Sequence, residues 1–274
     1  MNMKKLFLCL VMAAVLASCS KPYVIVQIAD AQLGFTASDK CKAEGREFDE
    51  DVSYELSYLR KAVAKVNEIN PDAVVFTGDQ VHHADNQVEW SAFRTAVSAM
   101  SKDVKAFHLP GNHDVRIWEN DVDMETFEER FGKGSFEYED GKVKLVGINT
   151  NFIKHNNYAE NTQFEWLEGV LGKKRGQTTL VFGHHPFFLE DIDEEDGYFQ
   201  IQKNKRKIYF DMFRRHDVDA VFAGHLHDNA AGEYKGIPSV TTTSISVQIG
   251  GSKPSIRVIT IKDGNVSTEL IPLD

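Results

Sequence analysis

Cysteine is scarce in this chain: its 274 residues include three, Cys9, Cys19 and Cys41. Basic charge is scarce as well, with 31 Lys and Arg against 41 Asp and Glu and a formal net charge of −10 at pH 7. A surface of that sign argues against a nucleic-acid backbone as partner, because such backbones are held by Lys and Arg. A local cationic centre built from metal ions could still bind an anionic substrate. Beyond residue 20 there is no apolar run long enough to span a bilayer, no internal repeat and no Pro/Gly/Ser-rich linker. These absences point to one globular domain over residues 23–274, expected as a monomer.

The long apolar stretch that does exist lies at the start. Lys4 and Lys5 precede residues 6–15, which are apolar, and Leu16-Ala17-Ser18-Cys19 follows. This is a signal-peptide pattern over residues 1–18, and the small residues before the Cys resemble the bacterial lipobox. Cys19 is then the lipidated N-terminus and residues 19–22 a short tether. The expectation is an exported lipoprotein of a bacterium, facing the periplasm or cell exterior and held to the membrane by that lipid alone. Cys9 leaves with the signal, so Cys41 has no disulfide partner.

Short β-branched and apolar runs alternate with helical patterns. Residues 23–29 read as a strand ending at Asp30, and 73–77 as one ending at Gly78-Asp79. Residues 104–109 run into Gly111, 178–182 end at Gly183-His184, and 220–223 end at Gly224-His225. Segments 51–69, 87–101, 162–171 and 205–216 carry the helical patterns, and Asn70-Pro71 stops the first. Residues 135–138 and 142–149 predict a hairpin, and strand signals fill the stretch after 233. The pattern predicts α/β layers with right-handed crossovers and a second, mixed sheet. The motifs fall at strand C-termini, where open α/β sheets place their sites.

Asp30-Ala31-Gln32, Gly78-Asp79, Gly111-Asn112-His113-Asp114, Gly183-His184 and Gly224-His225-Leu226-His227 together supply carboxylate, amide and imidazole donors. Such a set suits two metal ions about 3.5–4 Å apart. The first ion would take Asp30, Gln32, Asp79 and His227, and the second Asp79, Asn112, His184 and His225. Asp79 would bridge them and a hydroxide would complete both shells. His113 is placed to protonate the leaving oxygen, with Asp114 orienting it or capping its loop. Gln32 offers a neutral oxygen that is harder than an imidazole nitrogen, which favours Mn or Fe, or Mg, over Zn. His82 reaches the substrate phosphate or the shell of a metal, or else serves the structure. Residues 190–196 carry six acidic groups that form either a solvated loop or a rim selecting cationic substrates, with Phe187, Phe188, Tyr198 and Phe199 as an apolar wall. His108 is expected in the core, His155 and His216 on the surface, and His185 in a loop beside a ligand.

This ordered series resembles the calcineurin-like metallophosphoesterase superfamily. The usual first motif there is Asp-x-His, where this chain has Asp30-Ala31-Gln32. Gly78-Asp79-Gln80-Val81-His82, the 186–199 segment and residues 224–232 are similar to the group of calcineurin-like phosphoesterase domain-containing protein 1. The resemblance implies a four-layer α/β/β/α sandwich of two mixed sheets flanked by helices, and hydrolysis of phosphate monoesters. Asp-x-Gln also resembles ADP-ribose/CDP-alcohol pyrophosphatases, which keeps a nucleotide pyrophosphatase or phosphodiesterase open. A ligand-binding lipoprotein without catalysis is the expectation from another class. A first strand that leads away from the tether would put the metals in the aqueous phase, so soluble phosphoesters are the expected substrates.

Overall fold

The computed structural model describes residues 21–173 and 176–274. The signal segment, Cys19 and most of the tether therefore lie outside the described residues. Along the chain the first elements are β1 (Tyr23–Ile28), α1 (Phe35–Glu44), α2 (Ser53–Ile69), β2 (Ala73–Thr77), α3 (Gln87–Val97) and β3 (Lys105–Leu109). There follow β4 (Arg116–Trp118), β5 (Asp121–Asp123), α4 (Glu125–Phe131), β6 (Phe136–Asp140), β7 (Val143–Gly147), α5 (Thr150–Lys154) and α6 (Glu160–Leu171). The last are β8 (Thr178–Phe182), α7 (Lys203–Arg215), β9 (Ala220–Ala223), β10 (Ala230–Tyr234), β11 (Ile237–Thr241), β12 (Ser255–Lys262) and β13 (Asn265–Pro272).

Two mixed sheets result. One has the order β13-β12-β1-β2-β3, with β1, β2 and β3 parallel. The other has the order β10-β11-β9-β8-β7-β6, with β7, β8, β9 and β11 parallel. Alternate side chains of a strand face opposite ways, and here both ways are apolar. Val26, Ile28, Val74 and Phe76 pack outward on Leu59, Ala62, Val63 and Val66 of α2 and on Phe93 of α3. Ile25, Ala73, Val75 and Ile259 face inward onto Leu145, Leu180, Ala220 and Phe222 of the second sheet. That sheet's other face, through Val146, Val181 and Val221, meets Leu167 and Leu171 of α6 and Phe210 and Phe213 of α7. Three apolar interfaces make four layers, α/β/β/α.

Gln27 interrupts the inter-sheet core. It is fully buried, and its Nε2 donates to Thr77 Oγ1 at 3.1 Å and to Ala223 O at 2.8 Å while its Oε1 accepts from Thr242 at 2.7 Å. These bonds tie β1, β2 and β9 together one residue below the glycines that open two of the motif loops. Full satisfaction is what allows an amide there.

The expected strands 73–77, 178–182 and 220–223 form with those limits. The expected helix 87–101 ends at Val97, since Ser98, Ala99 and Met100 close turns instead. Four features without a strong periodic signal also form: α1, the β4–β5 hairpin, α4 and α5. Helix α1 buries only Ala37 and Cys41, too few for a stripe. Among the described residues, no helix is long and apolar enough to cross a membrane.

Candidate metal centre

Parallel strands bring their C-terminal ends to one edge, so the loops after β1, β2 and β3 meet those after β8 and β9. The loops are cross-bonded: Asp30 N donates to Gly78 O (3.2 Å), Gln32 N to Asp79 O (2.7 Å) and Gly224 N to His184 O (2.9 Å). Left-handed backbone at residues other than glycine concentrates here, at Asp30 (φ 52°), Gln32 (42°), Asp79 (50°), His225 (71°) and His227 (55°). Each such residue costs on the order of 1 kcal/mol or more and persists only where its surroundings hold it. Gly78 (φ +95°) and Gly111 are required by contact. A Cβ on Gly78 would overlap the His184 ring, and one on Gly111 would overlap the Asp79 carboxylate.

Asp79 sits between two groups of donors. Asp30, Asp79 and His227 each offer a ligand atom within 4.8 Å of the others, and so do His184, His185 and His225. His184 Nε2 lies 3.4 Å from Asp79 Oδ2 and 3.1 Å from Asn112 Oδ1, and His227 Nε2 is 3.7 Å from Asp30 Oδ1. His184 Nδ1 faces Thr77 O at 2.9 Å and His227 Nδ1 faces Val247 O at 2.7 Å. Carbonyls only accept, so both Nδ1 atoms carry hydrogen and both Nε2 lone pairs turn inward, as for imidazoles that ligate metals. Gln32 Nε2 is directed to His82 Nδ1 at 3.3 Å, leaving Gln32 Oε1 for the site.

Among the described residues, the buried Gln32 Oε1 and His225 Nε2 have no hydrogen-bond partner. A buried acceptor without a donor is costly, and a cation satisfies both. The donors therefore fit a pair of divalent ions. The charges agree. Burial raises the Asp30 carboxyl to about 6, against the lowering pull of His227 and His184. Burial alone would raise Asp79 too, but His184 and His113 outweigh it and hold its carboxyl far below the usual range. His184 is pushed down by burial and up more strongly by Asp79 and Asp30, to about 9, so beside these carboxylates its Nε2 holds a proton that a bound cation would replace. Burial drives His225 well below its ordinary value.

His113 Nδ1 lies 2.9 Å from His82 O, its backbone N–H donates to Asp79 Oδ1 at 2.9 Å, and its ring stacks on His82 at 4.6 Å. Asp114 was expected to orient His113 or cap the loop, and the geometry gives it the second task. Its carboxylate accepts from the backbone N–H groups of Gln80 (2.8 Å), Val81 (3.2 Å) and Gly111 (2.8 Å). His82 lies beside Gln32 and His113, and burial together with His113 and His83 lowers it to about 3.

Phe187 and Phe188, expected as a wall of the substrate cleft, are buried in the core beneath α7, so that expectation is corrected. The apolar residues after Pro186 serve packing. Tyr198 is 67% exposed, 5.4 Å from the His225 ring, and lines a cavity of about 280 Å³ with Asn112, Ile117, Lys154, His185 and His225. His155, expected on the surface, also lines it. Lys154 carried no motif signal; only the tertiary arrangement brings it here. The acidic run is engaged locally: Glu194 accepts from the N–H groups of Leu189, Glu190 and Asp191, and Asp193 pairs with Lys207 at 2.6 Å. That leaves little of it to select cationic substrates.

Comparison with known proteins agrees with this geometry. The calcineurin-like phosphoesterase family matches over residues 23–229. The serine/threonine-protein phosphatase CPPED1 of Mus musculus is 29% identical over 268 residues, 92% of this chain and 85% of that protein. A probable cyclic nucleotide phosphodiesterase of Rhodococcus erythropolis is 24% identical, over 84% of this chain and 80% of that protein. Purple acid phosphatase PPD1 from yellow lupin (Lupinus luteus) shares the fold with a TM-score of 0.68 at 14% identity, over 93% of this chain and 52% of the lupin one. A dimetal phosphatase from Danio rerio does so at 0.62 and 15%, over 92% and 99%. With the family matched across most of the domain and the five loops gathered on Asp79, the chain belongs to the calcineurin-like phosphoesterases, metal-dependent hydrolases of phosphoester bonds.

Proposed function

We propose that this protein is a binuclear phosphomonoesterase. The observation that carries the proposal is the placement of Asp79 between two groups of inward-facing ligand atoms. Asp30, Gln32, Asp79 and His227 would hold one ion, and Asp79, Asn112, His184 and His225 the other. When bound, such a pair lowers the pKa of a water between the ions to about 7 and offsets charge on the phosphoryl oxygens. The chain's own groups do the rest. Thr77 O and Val247 O fix the imidazole tautomers. His113, with its Nδ1–H held by His82 O, presents Nε2 to the leaving oxygen and, as the imidazolium, gives it the Nε2 proton and is left neutral. Tyr198, Lys154 and His155 border the space for the rest of the substrate.

Asp79→Asn tests this directly. Metal content is expected to fall, and phosphatase activity to drop by about a hundredfold or more, because one substitution disturbs both ligand groups. Full activity in metal-free Asp79→Asn protein sinks the proposal. The oxygen of Gln32 supports Mn or Fe over Zn; protein purified with zinc alone and indifferent to manganese contradicts that choice. A second reading, a nucleotide pyrophosphatase or phosphodiesterase, is supported by the same glutamine and by the Rhodococcus erythropolis relative, named a probable cyclic nucleotide phosphodiesterase. Higher kcat/KM on ADP-ribose or a cyclic nucleotide than on any monoester would favour it. A non-catalytic ligand-binding role requires that no phosphoester is turned over.

We propose further that the substrates are soluble phosphoesters and that the protein is an exported, monomeric lipoprotein anchored at Cys19. In support, β1 runs from the tether straight to the loop bearing Asp30, so the site lies at the far end of that strand. Lipid labelling that persists in Cys19→Ser protein contradicts the anchor.

A further inference from the structure

We infer that His185 ligates neither ion but donates a hydrogen bond to the substrate's phosphoryl group, and that the Thr150 hydroxyl sets its tautomer for this. The inference rests on the phosphoesterase proposal above. His185 is 2% exposed and shares its neighbourhood with His184 and His225, close enough for the three imidazoles to be taken as one metal cluster. What separates His185 from His184 is the partner of each Nδ1. For His184 that partner is a backbone carbonyl, Thr77 O, which only accepts. Its Nδ1 therefore carries the hydrogen and its Nε2 a lone pair.

For His185 the partner is a hydroxyl, Thr150 Oγ1, at 3.1 Å. That oxygen already accepts two backbone N–H groups, from His184 at 3.1 Å and from His185 at 2.8 Å. A threonine hydroxyl has two lone pairs and one proton. With both pairs engaged, what it has left to offer is the proton, which goes to His185 Nδ1. A neutral imidazole that accepts at Nδ1 carries its hydrogen at Nε2. An Nε2–H group cannot bind a cation, but it can donate to an anion. The surroundings suit that role, since His185 lines the cavity of about 280 Å³ alongside Asn112, His225, Lys154 and Tyr198. One hydroxyl thus anchors the backbone of two adjacent histidines and turns the second from a ligand into a donor.

The probe is inorganic phosphate, the product of monoester hydrolysis, on the full mature chain. Three readouts apply: ions bound per chain, phosphate affinity by calorimetry, and the ¹⁵N resonances of the His185 ring in magnesium-loaded protein, assigned with the spectrum of His185→Gln. His185→Leu is expected to keep both ions and bind phosphate roughly tenfold or more weakly, the worth of a hydrogen bond to a charged group. His185→Gln, whose amide N–H reaches near the Nε2 position, is expected to return to within about threefold of the parent affinity. The ring is expected to show a protonated Nε2 and a bare Nδ1. Loss of an ion in either variant, unchanged phosphate affinity in His185→Leu, or a proton on Nδ1 overturns the inference. If the parent protein binds no ions at all, the phosphoesterase proposal fails separately, and the ring tautomer still decides His185. If His185→Leu does not fold, the Gln variant and the tautomer carry the test.

Discussion

His113 and His108 stand five residues apart and show how burial and partners divide one residue type into two roles. His113 keeps a ring nitrogen beside the ligand groups, with Nδ1 held by His82 O. His113→Ala is expected to retain both ions and lose roughly 10²–10⁴-fold in kcat, the usual worth of a general acid. The loss should be smaller for an aryl phosphate, whose leaving group needs no proton, than for an alkyl phosphate; equal losses on both contradict the role. His108 stacks between Phe76 (4.5 Å) and Phe131 (4.1 Å), and its Nδ1 has no hydrogen-bond partner among the described residues. Burial lowers its pKa to about 3. Between about 6.5 and 3 the unfolded chain therefore binds a proton that the folded protein refuses, so stability is present above this window and lost as pH falls through it. Inside the window the slope is about 1.4 kcal/mol per pH unit. Chemical denaturation across pH 3–7 should show a shallower acid limb in His108→Phe than in the parent; identical limbs exclude His108 as the cause.

The 186–200 loop is where element-scale physics matters most, because it carries Tyr198 to the cleft without regular structure of its own. Arg206 of α7 is fully buried and holds this loop by donating to the carbonyls of Ile201 (2.7 Å), Ile192 (3.3 Å), Glu194 (2.6 Å) and Glu195 (3.4 Å) and to Asp196 Oδ1 (3.3 Å). Lys154 adds bonds to the carbonyls of Gly197 (3.0 Å) and Gln200 (2.6 Å) from the other side. Arg206→Met leaves several carbonyls without donors at once, an expected cost of about 3 kcal/mol. A Tm lower by roughly 6–12 °C and faster proteolysis within residues 190–200 are the outcomes to measure. An unchanged Tm shows that the loop stands without its arginine.

For the whole molecule, the loops of two sheets converge on a centre that holds the buried carboxylates Asp30 and Asp79 close together, with Asp114, whose carboxyl burial raises, near enough to Asp79 to be raised further by its charge. Ions bound there stabilise the folded state and not the unfolded one. At a hundredfold excess over Kd each site is worth about 2.7 kcal/mol, and chelation should lower Tm by roughly 5–10 °C per site lost. Calorimetry with and without chelator, followed by re-addition of manganese, measures this. A Tm that does not move with metal shows that the centre is not occupied in solution.

Much of the fold follows from local pattern. Runs such as 73–77 and 178–182 are apolar on both faces and so had to be central strands, and the Gly-Asp, Gly-Asn-His-Asp and Gly-His-x-His turns mark where donors leave them. Residue type and order were enough to nominate Asp30, Gln32, Asp79, Asn112, His184, His225 and His227, because ligand chemistry depends on the atoms that each side chain offers. Contacts between distant segments were not legible. Phe187 and Phe188 look alike in sequence whether they line a cleft or a core, and only α7 packed above them decides for the core. His155 and Lys154 reach the cavity because α5, a short helix without periodic signal, follows β7, whose C-terminal end lies on the same side as those of β8 and β9. The tautomers of His184, His185 and His227 depend on Thr77 O, Thr150 and Val247 O, partners up to 107 residues away. Composition and local spacing determine which atoms are available; the meeting of two sheets at one edge decides which way each lone pair faces.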